Sequence, residues 1–149
     1  ITTRSKLEKY RIIDSDICPF CDESEDNFEH SLYRCELSKY TWSNFQTYLD
    51  LIHSNFTLTV PHIILGIARD VRHSMIINTV ASRVKQILLS PKSERRSLSV
   101  DEILNIARDQ YHLEFAMALR HKTIPVTGNY VLQKKWMAHR VLFENLVQQ

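Results

Sequence analysis

Glycine is nearly missing from this chain: Gly66 and Gly128 are the only two among 149 residues. Dinucleotide- and phosphate-binding loops need several glycines so that backbone can approach a phosphate closely, which excludes those classes. Long apolar runs are missing too, and none nears the roughly 18 residues of a membrane span. Cysteine is confined to Cys18, Cys21 and Cys35, with none in residues 36–149. An odd, clustered set makes a poor disulfide framework. It predicts a reducing, intracellular compartment where thiols serve metal or redox chemistry. Nor is there a G-x-S-x-G elbow, a spare cysteine nucleophile or an adjacent Asp-Asp pair for two-metal phosphoryl transfer. No catalytic residue and no small-molecule substrate is assigned.

What remains is ordinary globular material, 44% hydrophobic and 24% charged, which excludes wholesale disorder. Because it opens on Ile1 rather than Met, the chain is expected to be a segment of something longer. The net charge of +2 conceals three blocks. Residues 14–50 hold nine acids against Arg34 and Lys39, a net of −7, between flanks of +3 (residues 1–13) and +6 (residues 51–149). Such blocks speak to partners more than the total does.

The periodicity predicts an all-α chain. A short helical stretch runs to about Ile13, residues 14–23 are turn-like, and Ser24 could cap a short helix carrying Phe28, Glu29 and His30. Ser38 opens a longer helix with Trp42, Phe45, Leu49 and Ile52 on one face. Residues 55–62, β-branched and containing Pro61, read as extended or loop. Ile76, Val80, Val84, Ile87 and Leu88 stripe another helix, which Pro91 ends. Beyond a basic linker at residues 91–99, Ser99 and Glu102 form a capping box. The helix it opens carries Ile103, Ala107, Tyr111, Phe115 and Ala118. A last helix carries Leu132, Trp136, His139, Phe143 and Leu146, read as core. Two parts result: a lead-in plus cysteine module over residues 1–54, and a helical tail over residues 55–149.

Cys18, Cys21, His30 and Cys35 have the spacing C-x2-C-x8-H-x4-C. Two cysteines separated by two residues wrap a tight turn around one metal, and a His and a Cys from a second short element complete a tetrahedron. Three thiolates and an imidazole suit one zinc ion, and four protein ligands leave no open position, so the site is expected to be structural. The competing readings are a buried thiol cluster with an unrelated histidine, and a redox C-x-x-C, which needs a βαβ context. His30 and Cys35 are about 140° apart on an ideal helix, so the chain should leave the helix before Cys35.

The run from Ile12 to Cys21, followed by Phe28-Glu29-His30, Cys35 and Trp42, resembles the zinc-binding segment after the polymerase in reverse transcriptases of non-LTR (LINE-type) retrotransposons. The tail is similar as well, through Ile64-Leu65-Gly66, Ile76-Ile77-Asn78, Lys85, Glu114 and Trp136. It departs at Leu88-Leu89, where related tails often carry a tyrosine. The resemblance implies a non-catalytic C-terminal segment of a nuclear RNA-directed DNA polymerase, helping to engage element RNA or target DNA during target-primed reverse transcription. The alternative is a structural or interaction module packing on the polymerase portion or a host factor.

Charge places any nucleic acid on the tail. The zinc module is acidic, whereas residues 69–96 have a net charge of +5. The candidate contacts are Arg83, Lys85, Lys92, Arg95 and Arg96, with Lys134 and Lys135 beside Trp136.

Overall fold

A computed structural model describes residues 3–12, 15–22, 25–52, 55–71, 73–91, 93–120 and Trp136. The Ser24 cap, Lys92, Lys134, Lys135 and the rest of the last helix lie outside the described residues. The chain is all-α: α1 (Arg4–Lys9), a π-helical turn (His30–Arg34), α2 (Glu36–Leu51), α3 (Val60–Leu65), α4 (Ser74–Leu88) and α5 (Val100–Arg120). Among the described residues no strand occurs. One isolated antiparallel bridge joins Ile17 and Glu25.

Local chemistry sets the boundaries. α1 stops at Lys9 because Arg11 takes a left-handed φ of 56°. The Arg11 N–H then donates to the Glu8 carbonyl (2.7 Å) and the Ile12 N–H to Leu7 (2.9 Å), a Schellman closure. α2 begins at Glu36, before Ser38, because Cys35 is extended and its carbonyl accepts the N–H groups of Ser38 and Lys39, both at 2.9 Å. Ser38 is therefore not the cap but a buried first-turn residue. The stretch expected to be extended through His62 is so only to Thr59. Pro61 falls in the first turn of α3, where a missing N–H costs nothing. At α5 the capping box forms: the Ser99 N–H donates to Glu102 (2.9 Å) and the Glu102 N–H to Ser99 Oγ (3.3 Å).

The core draws on both parts of the chain. Trp42, Phe45, Tyr48 and Leu49 from α2 meet Ile76, Ile77, Val80, Val84 and Leu88 from α4, and Ile103 and Ala107 from α5. Trp136 is buried there, its indole N–H donating to Glu114 at 2.8 Å, in keeping with its reading as core.

Asn78 on α4 clamps the segment after α3. It accepts the Ile67 N–H and donates to the Ile67 carbonyl, both at 2.8 Å. Gly66, at φ +90°, lets the chain pass, since a Cβ there would lie 3.2 Å from the Asn78 oxygen. Asn78→Ala orphans two polar groups on a buried residue and should cost about 2 kcal/mol, read as a lowered denaturation midpoint. Backbone and Arg96 hydrogen bonds hold the Glu102 carboxyl below its usual range. Its contribution is thus present above the unfolded carboxylate value and lost as pH falls through the folded one. The stability gap between the parent and Glu102→Gln should narrow in thermal melts below about pH 4.

Candidate metal centre

A minimal hairpin carries the cysteine pair. The Ile17–Glu25 bridge and the Asp26 N–H donating to the Asp16 carbonyl (2.7 Å) hold its two arms. Within the turn, the Asp22 N–H donates to the Cys18 carbonyl at 3.0 Å, and Asp22 takes a left-handed φ of 54°. The Phe20 and Cys21 amides point at the Cys18 sulfur and favour its thiolate.

The other two ligands come from the π-helical turn. Its opening N–H, on His30, is capped by Asn27 Oδ1 at 2.9 Å. Its closing bond runs from the Cys35 N–H to the His30 carbonyl at 2.8 Å. This wide i→i+5 turn returns the chain beside His30, and Cys35 then leaves in an extended conformation, as the 140° argument requires. Two of its carbonyls are met from α2: Ser38 Oγ donates to Ser31 (2.5 Å) and Trp42 Nε1 to Leu32 (2.7 Å). Cys35 also sits at the N-cap of α2.

The four ligand atoms of Cys18, Cys21, His30 and Cys35 lie within 4.8 Å of one another, a group that could hold a metal ion. Cys18 Sγ is 3.8 Å from Cys35 Sγ, and Cys21 Sγ is 3.3 Å from His30 Nε2. All three cysteines are free. Cys18, Cys35 and His30 are buried, whereas Cys21 is partly open beside a cleft of about 230 Å³ lined by Glu25, Asn27, Arg34, Glu36 and Lys39. Burial pushes the Cys18 thiol up to about 11, with the Cys35 thiol adding to the rise. Burial, then the charge of Arg95, pulls His30 below its ordinary value and keeps the imidazole neutral, the form a metal binds. A bound cation reverses the thiol shift, because a coordinating thiol is deprotonated outright.

The proposed nucleic-acid contacts fare differently. Arg83 is exposed on α4 and donates to Gln86 at 2.9 Å. Lys85 is half-buried, with Nζ 3.5 Å from the Ile64 carbonyl, and burial lowers its pKa. Arg96 is exposed and ion-paired with Glu102. Arg95 corrects the sequence reading: it is buried, pairs with Asp26 at 2.8 Å and lies over the Phe20 ring at 4.9 Å. A guanidinium so enclosed cannot meet a phosphate at the surface. Its partner lies 69 residues away, so no local pattern could have revealed the pair.

Searches against protein families, curated proteins and solved structures return no match for this chain.

Cys21 is the most accessible ligand, so thiol alkylation of metal-free protein should reach it first and the buried Cys18 last. Added metal should slow all three. Equal rates in peptide-mapped labelling would show that the metal-free group is not held together.

Proposed function

We propose that this chain is a zinc-stapled, non-catalytic segment from the C-terminal region of a non-LTR retrotransposon reverse transcriptase. In this reading its helical tail contacts element RNA or target DNA while the cysteine module serves as scaffold. The observation that carries the metal reading is the shape of the donor set. Zinc–sulfur bonds near 2.3 Å and zinc–nitrogen bonds near 2.0–2.1 Å give tetrahedral edges of about 3.8 Å for S···S and about 3.5 Å for S···N. At two of the six edges the chain offers 3.8 Å and 3.3 Å before any ion is placed, with all four ligand atoms within 4.8 Å of one another. A disulfide would need about 2.05 Å, all three cysteines are free, and a redox C-x-x-C would need a βαβ context that the described helices do not supply. Cys18, Cys21, His30 and Cys35 would hold one zinc ion, which supplies a crosslink between the hairpin and the start of α2.

The retrotransposon assignment is supported by the sequence resemblance. The charge distribution supports the tail as the nucleic-acid surface, with exposed Arg69, Arg83 and Arg96 as its described cations. Burial of Arg95 and pairing of Arg96 favour a second reading, in which the module packs on the polymerase portion or a host protein.

Metal analysis of protein purified without chelator should give one zinc per chain, and Cys18→Ser should abolish it. Zinc binding in small modules doubles as folding energy, on the order of 10 kcal/mol in isolated fingers, so stripping it should unfold residues 15–35 first. The nucleic-acid reading is tested by titration with RNA, single-stranded DNA and duplex DNA at two salt concentrations. Affinity should fall with salt by a slope of roughly −0.7 per phosphate contact on single strands. Lys92→Ala with Arg96→Ala should flatten that slope by about two contacts' worth. Binding that is absent or indifferent to salt hands the chain to the second reading.

A further inference from the structure

Among the described residues, Arg95 is the one strongly buried cation whose chemistry neither the core nor the ligand set absorbs. Its Nη1 donates to Asp26 Oδ1 at 2.8 Å and to Ser31 Oγ at 3.0 Å, and Ser31 Oγ donates to the same carboxylate at 2.6 Å. Its side chain is 3% exposed, yet Nε and Nη2 have no hydrogen-bond partner. The polar and aromatic partners of its guanidinium, Phe20, Asp26 and Ser31, all belong to the metal module. Phe20 sits between Cys18 and Cys21, Asp26 closes the hairpin, and Ser31 follows His30 in the π-helical turn.

We propose that Arg95 is a positioning residue of the metal centre: its cation keeps the Asp26 carboxylate from adding to the charge of three thiolates around a dication, and its fork fastens the ligand-bearing turns to the α4–α5 connection, so that metal loading and ordering of that connection are one event.

The electrostatics follow from counting. Asp26 and Arg95 neutralise each other as a pair. Three thiolates around a divalent ion would leave a surplus of one negative charge nearby, and without Arg95 the unpaired Asp26 carboxylate would make it two. A guanidinium with three N–H bonds uncommitted, on Nε and Nη2, can answer it in a way that a fully satisfied one cannot. Outer partners of this kind orient ligands and tune metal affinity, and losing one typically costs about 10–100-fold. Mechanically, the chain around Arg95 is held from two directions. The Glu94 and Arg95 N–H groups both donate to the Pro91 carbonyl, at 2.9 and 3.0 Å. Three residues on, Leu98 is anchored to α2 without involving the metal module. Its N–H donates to Thr41 Oγ1 at 3.1 Å, and Asn44 Nδ2 donates to its carbonyl at 2.8 Å. Unfolding the hairpin would remove Asp26 and Phe20 from Arg95, leaving a buried charge alone. The segment before Leu98 must then open to water.

This inference rests on the metal reading above, and its test separates the two. Hydrogen exchange is followed on the full chain, zinc-loaded and after stripping with a chelator. Zinc affinity is measured by chelator competition for the parent, Arg95→Met, Arg95→Lys and Arg96→Met. On stripping, the Glu94 and Arg95 amides should exchange at least tenfold faster, while the Leu98 amide keeps its rate. Arg95→Met should bind zinc about 10–100-fold more weakly. Arg95→Lys, which keeps the charge, should lose less, and Arg96→Met should stay within threefold of the parent. Parent-like affinity in Arg95→Met overturns the proposal, as do Glu94 and Arg95 amides indifferent to stripping. Should Arg95→Met fail to fold, the exchange contrast in the parent and the affinity of Arg95→Lys decide the matter. A parent chain that takes up no zinc overturns the metal reading itself and this proposal with it.

Discussion

Three sulfurs and a ring nitrogen held within 4.8 Å of one another, most of them away from water, form a group with little cohesion of its own. As neutral thiols they gain only weak contacts. As thiolates they repel in a medium that screens poorly. The surrounding structure is built around that tension. A hairpin fixes two ligands, a π-helical turn fixes the other two, and Ser38 and Trp42 bond carbonyls within that turn from the next helix. Since α2 also supplies Phe45, Tyr48 and Leu49 to the core, the geometry of the ligands and the packing of the tail are set by one helix.

The acidic character of the module is unfavourable for a thiolate-rich site, and ion pairs meet three of its acids. Glu29 bonds Arg34 at 3.0 Å and Glu36 bonds Lys39 at 2.6 Å, both at the surface, where such pairs are worth about 0–1 kcal/mol. Asp26 differs because both it and Arg95 are buried. Breaking a buried pair by removing one partner typically costs about 3–5 kcal/mol, since the survivor stays charged without a neighbour. The surface pairs therefore moderate the field, and the buried pair fixes the architecture.

What the sequence reveals follows the range of the interaction. The ligand spacing, the Ser99–Glu102 box, the stop before Pro91 and the stripes of α2 and α4 are encoded within a few residues, and all are legible. The start of α2 was misplaced by two residues because Cys35, chosen as a ligand, also serves as the N-cap. The helical turn at Pro61 was missed because proline reads as a breaker unless the helix start is already known. Arg95 is the residue on which local pattern and fold disagree. In a run with Lys92 and Arg96 it looks like a solvated cation, and only the fold brings Asp26 to it.

The tail landmarks carry a related lesson about where binding chemistry can reside. Asn78 is spent on the backbone of Ile67, Lys85 lies over the end of α3 at the Ile64 carbonyl, and Glu114 holds the Trp136 indole. Asn78 and Glu114 satisfy groups on Ile67 and Trp136 that the fold would otherwise bury unpaired, and a buried orphan costs about 1–3 kcal/mol. Their identity is thus fixed by the framework, and a partner gains little by contacting them. In the nucleic-acid reading proposed above, recognition would instead use side chains whose removal leaves the fold indifferent. On the described surface those are exposed cations such as Arg69 and Arg83, not the polar residues that make the sequence recognisable.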